Sequence, residues 1–180
     1  MKVEFSRLHR LFYPQVPLVL AAEQGGRVSA MPVVAYVVLS DSPPLIGVSC
    51  NSFAFTYKLS VKARAFTLSL LDSKDLGAME RLATVSGAKV TDKLAEVGLK
   101  HTRGSKVEAP VIAGSVATME CSLHSKRRMG DHILLVGRVE ACYASDDFSD
   151  FWKFEKYRPI LYTGWKEGMT VYRRAQSQGR

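Results

Sequence analysis

Two apolar runs that meet at the Pro43-Pro44 turn constrain the fold of this chain most. They extend from Val28 to Leu39 and from Leu45 to Cys50, and they are rich in the β-branched and apolar residues that favour buried strands. Strands joined by so short a turn pair antiparallel, because a parallel pair needs a long crossover. Within the first run, Pro32 predicts an irregularity, since proline cannot donate to a sheet ladder.

The remaining chain repeats this pattern of short strands and turns. The paired glycines of the turn Gln24 to Arg27 supply the positive φ angles that tight hairpins need. Further strands are predicted at Val16 to Glu23, Ala65 to Leu71, Ser115 to His124, His132 to Tyr143 and Ile160 to Tyr162. Short helices are predicted at Ser6 to Phe12, Phe53 to Val61, Asp75 to Val85, Thr91 to Val97 and Phe148 to Lys156, and Lys100 to Pro110 is predicted as a loop or irregular edge.

This order of elements indicates a mainly β fold. Strands and helices do not alternate regularly, and the chain has neither a GxGxxG nor a GxxxxGK[ST] motif, so a doubly wound nucleotide-binding fold is unsupported. A closed or split antiparallel barrel of the Greek-key type, with one helical insertion, fits best. The length of 180 residues suits one domain, predicted to span residues 1 to 180.

Bulk composition excludes several classes of protein. No apolar run approaches the roughly 20 residues that cross a bilayer, and the charged N-terminus lacks a signal-peptide core, so we expect a cytoplasmic protein without membrane association. Three cysteines without CxxC spacing predict neither a disulfide framework nor a zinc site. The four histidines show no metal-ligand spacing with a carboxylate, and we predict no metal.

The net charge of +8 leaves more than one kind of partner open. Most positive residues are scattered, but Lys126, Arg127 and Arg128 are consecutive, beside a probable turn at Gly130. Three interpretations remain for this run: a solvated loop, contact with an anionic cofactor or substrate, or contact with nucleic acid.

Small polar residues follow the second apolar run. Ser49, Asn51, Ser52 and Thr56 can donate hydrogen bonds to phosphate oxygens, and Lys58 or Lys62 could supply positive charge. A helix beginning near Phe53 would add its free N–H groups and its dipole. Alternatively, Asn51 or Ser52 only caps that helix. The pattern suits an anionic ligand with a flat apolar ring.

Four segments, taken together and in order, resemble the flavin-reductase-like proteins with an FMN-binding split barrel. They are SAMPVVAYVVLSDSPPLIGVSC, FTYKLSVKARAFTLSLL, MGDHILLVGRVEAC and PILYTGWKEGMTVY, and they cover nearly the whole chain. The resemblance implies FMN as the cofactor in preference to FAD, NAD(P)H as the co-substrate, and a homodimer with the flavin near the interface. Where that family has a pattern like N-x-M-T, this chain has Ser29-Ala30-Met31-Pro32.

The resemblance also implies roles for individual residues. The flavin ring would lie against Ser29, Ala30, Met31, Pro32 and Val33, and the phosphate against Ser49, Asn51, Ser52, Thr56 and Lys58; Cys50, within the same loop, could approach the ring. For Met31 to Val34 plain core packing is the alternative, and for Cys50 it is a buried apolar thiol. The GDH segment places His132 near the reacting face of the flavin, as a catalytic residue that orients the nicotinamide or relays a proton; the alternative is a structural histidine.

Three functions therefore compete. The first is an NAD(P)H-dependent flavin oxidoreductase, which needs little beyond close stacking of two rings. The second is a non-enzymatic FMN electron carrier, similar to flavoredoxin, that a partner protein reduces. The third is a basic nucleic-acid-binding barrel, which the scattered charge disfavours, so we expect no nucleic-acid partner.

Overall fold

The apolar runs of the sequence assemble into an antiparallel sheet in the computed structural model, which describes residues 2–153, 156–167 and 169–175. Seven strands lie in the order β2-β1-β5-β8-β9-β4-β3, and every neighbouring pair is antiparallel. The strands are β1 (Leu18–Gln24), β2 (Arg27–Val33), β3 (Tyr36–Asp41), β4 (Pro44–Asn51), β5 (Ala65–Leu70), β8 (Ala117–Met129) and β9 (His132–Ala144). The predicted mainly β, antiparallel architecture is confirmed.

Smaller elements cover the sheet. Two-stranded sheets are formed by β6 (His101–Arg103) with β7 (Pro110–Ile112), and by β10 (Ile160–Lys166) with β11 (Met169–Arg174). The helices are α1 (Phe55–Ala63), α2 (Leu76–Thr84) and α3 (Lys93–Glu96), with 3-10 helices at Phe5–Phe12 and Ser73–Asp75. Among the described residues, no helix is long and apolar enough to span a membrane.

The central strands are buried on both faces, and this explains their almost continuous apolar sequence. Along β1, Leu18, Leu20 and Ala22 point into a core that includes Phe66 and Leu135. Val19 and Ala21 point to the other side, into a second core closed by α2, α3 and the β10–β11 hairpin. Both cores are fixed by alternation along the strands, since successive side chains point to opposite faces.

Several predicted boundaries were wrong. The run Val28 to Leu39 is two strands, because the chain bends at residues 34–35 and β3 moves to the opposite edge of the sheet. Pro32 is not the irregular point. It pairs in register with Val19, on an edge strand where one row of N–H groups needs no partner.

The predicted strands ended at His124 and began again at His132, which made residues 125–131 their connection, and this prediction was also wrong. Lys126 to Arg128 lies within β8, because a two-residue turn at Gly130 and Asp131 suffices to reverse the chain. Gly130 has φ +66°, the left-handed region that glycine adopts readily.

Other corrections concern peripheral segments. His101–Arg103 is a strand where a loop or edge was predicted, and β10–β11 extends beyond the single short strand expected at the C-terminus. From residue 148 to 153 the chain forms bends and an isolated bridge between Phe148 and Trp152, and no helix; residues 154–155 of that predicted helix lie outside the described part.

Candidate functional site

A cavity of about 720 Å³ lies where the ends of β2, β4 and β9 meet the N-terminal 3-10 helix. Its longest wall is the apolar segment Met31 to Ala35. Ser49, Asn51 and His132 supply the polar groups of the lining. The N-terminal 3-10 helix adds Leu8, His9 and Phe12, and Tyr13 follows directly after it. Such a volume, mostly apolar with a few convergent polar groups, is typical of a small-molecule site.

Strand register brings the polar groups together. Asn51 at the end of β4 lies directly opposite His132 at the start of β9, and Ser49 lies opposite Leu134. The Ser49 N–H also donates to the Ala35 carbonyl at 2.8 Å, which fixes the bend between β2 and β3 against β4. Side chains of Ser49, Asn51 and His132 therefore share one face of the sheet.

His132 is held by the residue before it. Its Nδ1 lies 2.9 Å from Asp131 Oδ1, and this hydrogen bond is the main cause that lowers the pKa of Asp131. A carboxylate at this position accepts a proton carried on Nδ1, and in that tautomer Nε2 is an acceptor. The side chain is 43% exposed, so Nε2 is open to a ligand or to solvent.

Cys50 lines the same cavity but is only 2% exposed. Burial raises the pKa of its thiol to about 12, so the group is neutral at physiological pH. A neutral buried thiol is a poor nucleophile and a poor ligand. Its contribution to the site is apolar packing.

The start of α1 forms one end of the cavity, where Ala54 belongs to the lining. The Asn51 side chain accepts from the Phe53 N–H at 2.9 Å, and the Ala54 N–H donates to the Asn51 carbonyl at 3.0 Å. The helix cap is Ala54, so neither Asn51 nor Ser52 caps the helix as the alternative interpretation supposed. The first helical bond runs from Lys58 N–H to Ala54, and the N–H groups of the preceding turn have no helical acceptor.

The predicted site residues divide into two groups. The cavity brings together Met31, Pro32, Val33, Ser49, Cys50, Asn51 and His132. Five others lie outside its lining: Ser29, Ala30, Ser52, Thr56 and Lys58. Ala30 is fully buried in the second core, and Lys58 is exposed on α1. The hydroxyl groups of Ser29 and Thr56 are hydrogen-bonded to each other at 2.8 Å, behind the first turn of α1.

The sequence did not predict the groups that hold the start of α1 in place. Arg27 donates to the carbonyls of Gly87, Ala88 and Val90 at 2.9–3.1 Å, and its guanidinium lies 4.9 Å from the ring centroid of Phe55. No local sequence motif predicts this long-range contact. The N-terminal 3-10 helix was equally unassigned to the site, although its alternation of Leu8, Leu11 and Phe12 with charged residues was a readable amphipathic pattern.

A second support is the Tyr36 side chain, which belongs to the cavity lining. Its hydroxyl donates to the Val16 carbonyl at 2.7 Å. Burial raises the pKa of this phenol, which stays protonated and keeps the bond at physiological pH. The bond ties the start of β3 to the segment before β1 and so fixes the apolar wall.

Known proteins share both the sequence and the fold. Residues 8–162 match the flavin reductase like domain. An uncharacterized protein of Aeropyrum pernix is 35% identical over 164 residues, which cover 91% of this chain and 62% of that protein. A flavin reductase of Pseudomonas putida is 32% identical over 128 residues, which cover 71% of each chain.

A solved structure extends the match to three dimensions. It is an FMN-binding protein of Thermus thermophilus with bound 1-cyclohex-2-enone, with a TM-score of 0.79 at 30% identity, covering 100% of this chain and 96% of that one. The split-barrel fold implied by the resemblance is thereby confirmed. With its family match over most of its length, this chain belongs to the flavin reductase like domain family.

Proposed function

We propose that this protein is an FMN-binding flavoprotein that oxidises NAD(P)H and passes the electrons to an acceptor. The observation that carries the proposal is the cavity itself, in which the apolar wall Met31 to Ala35, the polar end of β4 and His132 converge. Membership of the flavin reductase like family supports a flavin as the ligand, and the FMN-binding relative from Thermus thermophilus supports FMN before FAD.

The residues present fit that cofactor. A flat ring system needs an apolar wall, which Met31, Pro32 and Val33 provide, and its polar edge needs donors such as the Asn51 amide. A phosphate needs N–H donors and positive potential, which the N–H groups of residues 55–57, without acceptors inside α1, would provide. Lys58 and Thr56, outside the lining, contribute less directly.

When bound, FMN would supply two-electron chemistry between the nicotinamide and the acceptor. The chain's task is to bind both rings, align them and exclude water. His132, with Nδ1 fixed by Asp131, offers Nε2 to the incoming nicotinamide carboxamide or to a proton in transit.

For the acceptor, we infer a small molecule that carries a carbonyl group on a ring. The relative from Thermus thermophilus was solved with a cyclic enone, and the side of the cavity built by Leu8, Phe12 and Tyr13 is apolar and aromatic. Such a surface suits a small cyclic compound.

We also propose that two copies associate through β3 and the N-terminal 3-10 helix. Val37 and Val38 on the edge strand are 51% and 67% exposed, and Leu8 and Phe12 on the 3-10 helix are 55% and 66% exposed. Exposed apolar edges are a liability unless a partner covers them. A homodimer would cover them and place the cavity near the interface.

The deciding experiment is anaerobic mixing of the FMN-loaded protein with NADH and, separately, NADPH. The proposal expects tight FMN binding and bleaching of the flavin absorbance by at least one nucleotide. Bound FMN that neither nucleotide bleaches would reject the reductase and favour the electron carrier, which a partner protein must reduce. A colourless protein without affinity for FMN would reject both.

A further inference from the structure

The β8–β9 hairpin carries three adjacent cations beyond the edge of the main sheet. We define the basic arm as residues 125–129 of β8, which pair with β9. On its other side, β5 pairs with β8 only from Ala117 to Ser122, so the arm has no second strand neighbour among the described residues. Lys126, Arg127 and Arg128 are all exposed there.

These three charges lack acidic partners. In the described part of the chain, no carboxylate lies within 4.0 Å of any of them. Among the residues that the structure describes, the one hydrogen bond of these three side chains is from the Arg128 guanidinium to the Gly130 carbonyl, at 3.4 Å. The nearest acidic residue along the chain, Asp131, is engaged with His132. The arm therefore presents positive charge that no acidic side chain of the described residues neutralises.

Register separates one of the three cations from the other two. Arg127 pairs with Leu134 and Met129 pairs with His132, so Arg127 and His132 are diagonal neighbours on one face, about 7–8 Å apart. Across β9 the same face continues to Ser49 and Asn51, which line the cavity. Lys126 and Arg128 pair with Leu135 and Ile133 and belong to the opposite face.

We propose that Arg127 binds a phosphate group of the nicotinamide dinucleotide. The inference rests on the proposed function, which presents the nicotinamide ring at His132. The pyrophosphate of the dinucleotide is separated from that ring by a single ribose, and Arg127 is a diagonal neighbour of His132 on the face that continues to Ser49 and Asn51 in the cavity lining. A guanidinium suits phosphate because it can donate two parallel hydrogen bonds.

The test compares Arg127→Ala with Lys126→Ala, which removes the same charge from the same arm but on the opposite face. Steady-state oxidation of NADH and NADPH gives KM and kcat. Titration calorimetry of the FMN-loaded protein with NAD⁺ and NADP⁺ gives affinity without turnover. We expect Arg127→Ala to raise KM and weaken binding by about ten-fold or more, with kcat little changed. Lys126→Ala should change both by less than about two-fold, as for an exposed charge without direct contact.

The choice of nucleotide identifies the phosphate. Contact with the pyrophosphate weakens both nucleotides equally, whereas contact with the 2′-phosphate weakens NADPH alone; either result supports the proposal. Unchanged KM and affinity in Arg127→Ala overturn the proposal. An equal loss in Lys126→Ala also overturns it, because the nucleotide would then be attracted by the positive potential of the whole arm and not by direct contact with Arg127. If the wild type binds the dinucleotides without oxidising them, the proposed function fails and Arg127 is still tested by calorimetry. If it binds neither, both fail.

Discussion

Ser29 and Thr56 share a hydrogen bond of 2.8 Å between their hydroxyl groups, and both residues are buried. The bond joins β2 to the first turn of α1, so it connects the strand that forms the apolar wall with the helix that closes one end of the cavity. The sequence suggested both hydroxyls as cofactor ligands; here each one is the other's partner.

A double-mutant cycle tests this relationship. Ser29→Ala should leave the Thr56 hydroxyl buried without a partner and lower the free energy of unfolding by about 1–3 kcal/mol. Adding Thr56→Val removes the unpaired group, so the double variant should lose less than the sum of the two single variants. Chemical denaturation measures all four proteins. Additive losses would contradict a direct bond between the two hydroxyls.

Gly87 lies against Ser29, one member of this pair, and against Phe55. A Cβ atom at this position would come within 2.2 Å of Ser29 Oγ and 3.2 Å of Phe55, so Gly87→Ala should displace the start of α1. We expect a loss of about 1–3 kcal/mol in unfolding free energy and weaker FMN binding. Gly77→Ala is the matched control, because nothing lies within 4 Å of its added Cβ and the residue is in α2. That variant should be stabilised by up to about 1 kcal/mol, and equal behaviour of the two variants would refute the steric argument.

Glu120 is a buried carboxylate that holds the loop between β6 and β7. Its oxygens accept from the N–H groups of Ser105, Lys106 and Val107 at 2.7–3.0 Å and from the Tyr143 hydroxyl at 2.9 Å. Glu120→Gln keeps the shape but turns an amide NH₂ toward these donors. We expect a loss of about 3 kcal/mol or more by denaturant unfolding. For Glu140→Gln we expect about 0–1 kcal/mol, because its partner Arg138 is exposed and a glutamine oxygen can still accept from the Ser122 hydroxyl.

The same carboxylate predicts how stability depends on pH. Burial alone would raise the pKa of Glu120, but the hydrogen bonds from the three backbone N–H groups and Tyr143 outweigh it and lower the pKa to about 2, from an ordinary 4.5. The stabilisation is thus complete above pH 4.5 and is lost as pH falls toward 2. The difference in unfolding free energy between wild type and Glu120→Gln should shrink over that window. A constant difference would rule out this ionised, hydrogen-bonded carboxylate.

His132→Gln tests the proposed role at the nicotinamide. We expect kcat for NAD(P)H oxidation to fall about 100-fold, the range for loss of a positioned acid–base group, while FMN affinity changes much less. His124→Gln is the control, since His124 is exposed on β8 and outside the cavity lining. Full activity in His132→Gln would show that His132 has a structural role and does not take part in catalysis.

Val38→Lys tests the proposed dimer. A charge at the centre of the exposed edge strand should prevent two copies from packing, and the mass by light scattering should fall from two chains to one. Met169→Lys changes a residue of similar exposure, 64%, on β11, in a different sheet, and should leave the mass unchanged. A wild-type mass of one chain would reject the interface altogether.

The sequence was most predictive where burial imposes strict alternation or unbroken apolar runs. Strands β1, β4, β5 and β9 lie within a few residues of the predicted limits, because each is rich in apolar residues and bounded by a turn. The division of Val28 to Leu39 into β2 and β3 was not predictable, since the bend is fixed by the Ser49–Ala35 bond to a strand further along the chain. Lys126 to Arg128 looked like a loop because exposed cations carry no periodic signal.

Within the site, residues on one strand end were easier to predict than residues that meet through the fold. Asn51 and His132 each follow a recognisable motif, and β-sheet register then brings them together. Arg27 bonds to a partner 60 residues away in the sequence, and Glu120 bonds to one 15 residues away. No local sequence pattern predicts such contacts. Ser29 was assigned to the flavin ring and Thr56 to the phosphate, but hydroxyl chemistry alone does not determine which partner the fold supplies.

The three carbonyl bonds of Arg27 and its contact with Phe55 have a consequence for ligand exchange. They make the first turn of α1 and the loop of residues 87–90 one rigid unit without help from any ligand. A flavin arriving at this helix end would meet a preorganised surface, so little conformational entropy would be lost on binding. Neither arrival nor release would require local unfolding of this helix end, and the low entropic cost would favour tight binding.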